Sequence, residues 1–168
     1  MTSLVPWLTR TPVIIASGLA MVIVGISFSP VQKLIDGPLL DMIWSGPAAE
    51  ARLAEMTAVQ RTAHFWGTVL NDTAYPIFYG AFLAGLSGRF APQRWKGWVM
   101  LPALLTVVAD LAENTVQALA LSGTADLLGL KSLLTPVKFG LFTVAGLLAF
   151  GLVLFALARW GIRRGRGS

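Results

Sequence analysis

Residues 109 to 120 read ADLAENTVQALA, directly after the apolar run GWVMLPALLTVV, and they carry Asp110, Glu113, Asn114 and Gln117. Spacings of three and four stack these groups on one face of a helix. With Thr106 they fall within roughly 100° of arc, while Thr115 points the other way. A second stripe of His64, Thr68, Asp72, Tyr75 and Tyr79 falls within roughly 80°. Hydrocarbon cannot solvate such groups, so the two seams should face each other inside a bundle. Carboxyls sheltered in this way can give or take a proton, hold a cation, or cross-link helices. Asp72, Asp110 and Glu113 are the candidate acid/base groups, and Tyr75, Tyr79, Asn114, Gln117, Lys138 and His64 are candidate ligand-binding groups.

The charge count sharpens this reading. Three carboxylates would face only Lys138 and a protonated His64, and buried charges are paired or neutralised. Either a carboxyl keeps its proton, or a cation at Asp72, Asp110 and Glu113 completes the set; that cation could be a metal ion, sodium or an amine. The bland alternative is structural glue, with the acids and Asn114 bonding to Tyr75, Tyr79 and Lys138. His64 reads as a rim residue or a base, and Lys138 as snorkelling or paired with Glu113. No cofactor motif, phosphate loop or nucleophile elbow occurs, and the chain has no cysteine, which excludes thiolate metal sites and thiol nucleophiles.

Of 168 residues, 55% are hydrophobic and 12% charged, about half the charged share of a soluble domain. The fold class predicted is all-α, a polytopic membrane protein built as one four-transmembrane-helix bundle. Spans are expected at about 12–28, 58–86, 97–121 and 136–160, each near the roughly 20 residues that a 30 Å slab requires. Thr11 and Pro12 open the first, which reads as a span rather than a signal peptide. A capping box of Thr57 and Gln60 opens the second, which Pro76 should kink. Gly80, Ala84 and Gly88, or Ala81 and Gly85, offer close packing.

Eight of the thirteen Lys and Arg residues, namely Arg10, Arg89, Arg94, Lys96, Arg159, Arg163, Arg164 and Arg166, fall on one side. The positive-inside rule then puts both termini in the cytoplasm and the chain in the inner or plasma membrane. The basic tail reads as a lipid anchor, not as a nucleic-acid surface. The outer stretch 29–57 is too apolar to float in water and too broken to span, so short interfacial helices are expected, as padding or as a lid. Asp72 and Glu113 then lie about 12 Å below the outer ends of their helices, which puts the seams in the outer half of the bundle.

The pattern MTAVQRTAHF…ND…YPIFYG…LP…AD..EN..QALA…K, from Met56 to Lys138, resembles a family of small four-span bacterial membrane proteins; the resemblance implies the fold and carries no activity. The architecture is also distantly similar to the EXPERA group of sterol isomerases and sigma-2-type receptors, with Asp72 and YPIFY as the residues that align. The histidine and tryptophan placements of the isomerases have no match. The leading expectation is recognition of a hydrophobic or amine-bearing small molecule, with acid/base conversion in reach. A proton- or cation-coupled transporter and an accessory subunit without chemistry are the alternatives. Membrane lipids are expected partners, and a homodimer is compatible with the sequence.

Overall fold

The computed structural model describes residues 4–165 of the chain. Arg166, counted above with the basic tail, lies outside the described residues. They form helices and connecting turns, with no strand among them. In chain order these are α1 (Leu4–Leu8), α2 (Thr11–Ile35), α3 (Gly46–Glu55), α4 (Ala58–Trp66), α5 (Thr73–Phe90), α6 (Lys96–Ser122) and α7 (Lys131–Gly165). Single 3₁₀ turns occupy Leu40–Met42, Gln93–Trp95 and Leu128–Leu130, and a π-helical segment, Gly67–Asp72, joins α4 to α5.

Three helices are long and apolar enough to cross a membrane: α2, α6 with its preceding turn, and α7 with its preceding turn. Their outward faces are unsheltered. Ile15, Leu19, Val22, Ile23 and Ile26 of α2, and Leu147, Phe150, Leu154 and Phe155 of α7, are all exposed. A continuous apolar belt of this kind would drive association in water and is what a membrane protein presents to hydrocarbon.

The expected second span is a composite column. The Thr57–Gln60 capping box forms at its start, with Thr57 N–H donating to Gln60 Oε1 (2.9 Å) and Gln60 N–H to Thr57 Oγ1 (3.3 Å). The column then widens into the π segment before continuing as α5. Small residues on α5 let its neighbours close in. A Cβ on Gly80 would strike Val107 of α6, and one on Gly85 would lie 2.7 Å from the Leu8 carbonyl and 2.8 Å from Ile14.

Two boundaries depart from the sequence expectation. The first expected span, α2, runs past SFSP, with Pro30 inside it, to Ile35. Arg52 donates to the Ile35 and Asp36 carbonyls at 3.0 and 3.2 Å, holding a helix end that the proline would otherwise weaken. The last helix starts at Lys131 instead of Pro136. The stretch expected on the outer side, the outer segment, is likewise packed into the fold. Ile35, Leu40 and Ala49 are fully buried against Met56, Val116, Ala120, Leu121 and Leu128, so it caps the bundle as a second hydrophobic core. Gly46 makes this contact possible: its Cβ position lies 2.6 Å from Gly129 Cα.

Candidate functional site

The composite column presents Asp72 at the end of the π segment. Widening of the backbone is visible where Thr73 Oγ1 donates to the Thr68 carbonyl, five residues back, at 3.2 Å. In an α-helical pattern the Asp72 carbonyl would accept from residue 76, but Pro76 has no N–H. Asn114 of α6 supplies the missing donor: its Nδ2 bonds the Asp72 carbonyl at 2.7 Å. The Asp72 side chain is left over from this arrangement. It is only 7% exposed, yet its carboxylate takes no hydrogen bond or ion pair from any described residue.

Beside it, α6 and α7 share a ladder of alternating charge. Lys131 donates to Glu113 Oε1 and, at 3.3 Å, to Thr135, whose hydroxyl donates to the same carboxylate. Lys131 and Glu113 are both fully buried, an arrangement tolerable only because each neutralises the other. Lys138, two turns further along α7, lies 2.7 Å from Glu113 Oε2 and 3.5 Å from Asp110 Oδ1, and it bonds Asp41 as well. Tyr79 closes the ladder by donating its hydroxyl to Asp110 Oδ2 at 2.7 Å. Carboxylate oxygens of Asp41, Asp110 and Glu113 lie within 4.8 Å of one another, close enough to hold a metal ion. Lys138 makes ion pairs to all three. The expected cation group of Asp72, Asp110 and Glu113 therefore has Asp41 in place of Asp72.

A cavity of about 210 Å³ opens onto this ladder. Asp41, Asp72, Asp110 and Lys138 form its polar side; Tyr75, Tyr79, Phe139 and Phe142 form its aromatic side, with Met42 at its edge. The rings brace each other: Tyr79 meets Tyr75 edge to face at 5.5 Å and Phe142 at 5.1 Å, and Trp44 stacks flat on Phe139 at 5.1 Å. A larger groove of about 890 Å³ lies between α2, α5 and α6, but its walls carry no titratable group. The titratable lining belongs to the smaller cavity.

Of the residues singled out from sequence, Asp72, Asp110, Tyr75, Tyr79 and Lys138 line this cavity, and Glu113 stands behind Lys138. Asn114 is occupied with the Asp72 backbone. Gln117 is fully buried, with neither amide atom bonded to a described residue. His64 is buried instead of sitting at a rim, and it faces the outer segment. Its Nε2 accepts the Leu40 N–H at 2.9 Å, so Nδ1 carries the proton and donates to Thr68 Oγ1 at 3.2 Å. That bond orders the turn bearing Asp41. Sequence reasoning missed Asp41, Lys131, Phe139 and Phe142. Lys131, Thr135 and Lys138 repeat at four and three, a polar stripe visible only if the helix starts before Pro136. Asp41, set among Leu40, Met42 and Ile43, was an acid in an apolar run like Asp110.

Comparison of the chain with protein-family models, curated proteins and solved structures finds no match. The geometry defines the class: an all-helical protein with several helices able to span a membrane, built around a buried acidic cluster.

Proposed function

We propose that the protein is a four-span membrane protein that binds a hydrophobic or amphipathic small molecule in the outer half of its bundle, with acid/base conversion within reach of the same groups. The α4–α5 column is the fourth span in this reading, and both termini are cytoplasmic. The observation that carries the reading is Asp72. A structural acid would have been partnered, as Glu113, Asp110 and Asp41 are; a buried carboxylate facing a cavity without a partner is a group held for something that enters. Asp72 is the acid able to exchange a proton with a ligand, Asp110 keeps its charge beside Lys138, and Tyr75 and Tyr79 orient the guest.

Native mass spectrometry of the detergent-purified protein tests it. A small molecule should co-purify with the wild type and be lost from Asp72→Asn at unchanged folding. A wild-type protein that carries nothing and accepts no amphiphile would remove the reading. Because the chain lacks cysteine, single Glu50→Cys and Gln93→Cys variants report topology: an impermeant maleimide should label the first from outside and the second only after lysis.

A further inference from the structure

The geometry points to an organic ammonium group, the head of a cationic amphiphile, as the cavity's occupant, anchored on Asp72 and enclosed by aromatic rings. This rests on the small-molecule reading above and narrows it to one ligand class.

Charge is the first argument. The ladder and cavity hold four carboxyl groups, Asp41, Asp72, Asp110 and Glu113, against two ammonium groups, Lys131 and Lys138. Lys131 pairs with Glu113, and Lys138 is shared by Asp41, Asp110 and Glu113. Neither makes an ion pair with Asp72. An anionic guest would add to the excess of acid, and beside a neutral guest Asp72 must keep its own proton to remove the excess. A cation beside Asp72 offsets it.

The walls decide which cation. A hard metal ion takes six or more oxygen ligands. Here the oxygens of Asp41, Asp110 and Glu113 already face Lys138, and Asp110 Oδ2 also holds the Tyr79 hydroxyl. Only the Asp72 carboxylate is open. The remaining surface is Met42 and the aromatic residues Tyr75, Tyr79, Phe139 and Phe142, which apart from the tyrosine hydroxyls offer no hard ligands; with Phe139 already covered by Trp44 and Lys138, Tyr75 and Phe142 are the rings left to attract a large, weakly hydrated cation. Lys138 already uses this property, its Nζ lying 4.9 Å from the Phe139 ring centre.

Size sets the last limit. The cavity of about 210 Å³ is below the roughly 300 Å³ at which complete ligand sites begin. It admits a head group of a few heavy atoms, and any tail must lie outside it, among acyl chains.

The test uses the full-length protein in neutral maltoside micelles with four probes: dodecylammonium, dodecyltrimethylammonium, dodecanol and dodecanoate, plus Mn²⁺ as a metal probe. At least one ammonium probe should bind and raise the melting temperature, with the alcohol and the carboxylate weaker by roughly tenfold or more, the effect of one charged contact. Asp72→Asn should lower ammonium affinity by a similar factor without lowering the melting temperature of the empty protein. Phe142→Leu should lower it less and spare dodecanol. Dodecanol binding as tightly as the ammonium probes, indifferent to Asp72→Asn, would overturn the ammonium inference and leave the small-molecule reading intact. Tight Mn²⁺ binding lost in Asp72→Asn would overturn it in favour of a metal site. Failure of every probe, with nothing co-purifying, would remove both readings.

Discussion

The Asn114–Asp72 bond exists because Pro76 withholds a donor, and this dependence can be measured. Asn114→Ala leaves the Asp72 carbonyl buried without a partner, a loss of about 1–3 kcal/mol that includes the vacated side-chain volume. Pro76→Ala restores an N–H four residues beyond Asp72, so the helix can satisfy the carbonyl itself. In that background the amide of Asn114, now 2.7 Å from the carbonyl, becomes partly redundant. Cavity and propensity costs of each substitution cancel in a double-mutant cycle, which isolates the shared term. Hydrogen bonds between membrane helices give about 0.6 kcal/mol on average and about 1.7 at most in such cycles. A coupling of about 0.6–1.7 kcal/mol is therefore expected, with Asn114→Ala milder in the alanine background. Reversible unfolding in mixed micelles, followed by circular dichroism, measures all four corners. Strict additivity, within about 0.3 kcal/mol, would refute the claim that Asn114 stands in for the missing proline donor.

Lys131→Met leaves a fully buried Glu113 with only Lys138 and Thr135 as partners and should cost about 1–3 kcal/mol, with adding Glu113→Gln recovering much of it in the same unfolding assay. Asp72→Asn should leave the empty protein at least as stable as the wild type, because it removes a buried carboxylate that has no hydrogen-bond or ion-pair partner, whereas Asp110→Asn disturbs both Lys138 and Tyr79 and should cost about 1–3 kcal/mol. His64→Ala removes the acceptor of the Leu40 N–H and should speed hydrogen exchange at that amide roughly three- to tenfold, read by mass spectrometry. Gly80→Ala puts a Cβ into Val107 of α6 and should destabilise by about 1–3 kcal/mol; Gly140→Ala on α7, which meets nothing within 4 Å, should stabilise by about 0.5–1 kcal/mol.

Much of this protein could be read from the order of its residues. Apolar length and the shortage of charge mark a helical chain suited to a membrane. The 3.6-residue period placed Thr106, Asp110, Glu113, Asn114 and Gln117 on one inward face, and all five are buried. Those signals are local: hydrophobic length and helical spacing act within a single element, so the sequence carries them directly. What it left open was how each buried group is satisfied. Asp41 reaches Lys138 across 97 residues, and no periodicity relates a turn to a distant helix. Lys131 was hidden because Pro136 looked like a beginning, although the segment before it is held helical by contacts with the outer segment, among them the Gly46 N–H on Ser132 Oγ at 3.0 Å. Asn114 looked like a ligand group until the fold set it against a proline-orphaned carbonyl. Tertiary structure decided which acids are neutralised and which one stands free, because pairing depends on distances in space, and those are fixed only when the helices pack and the outer segment closes over them.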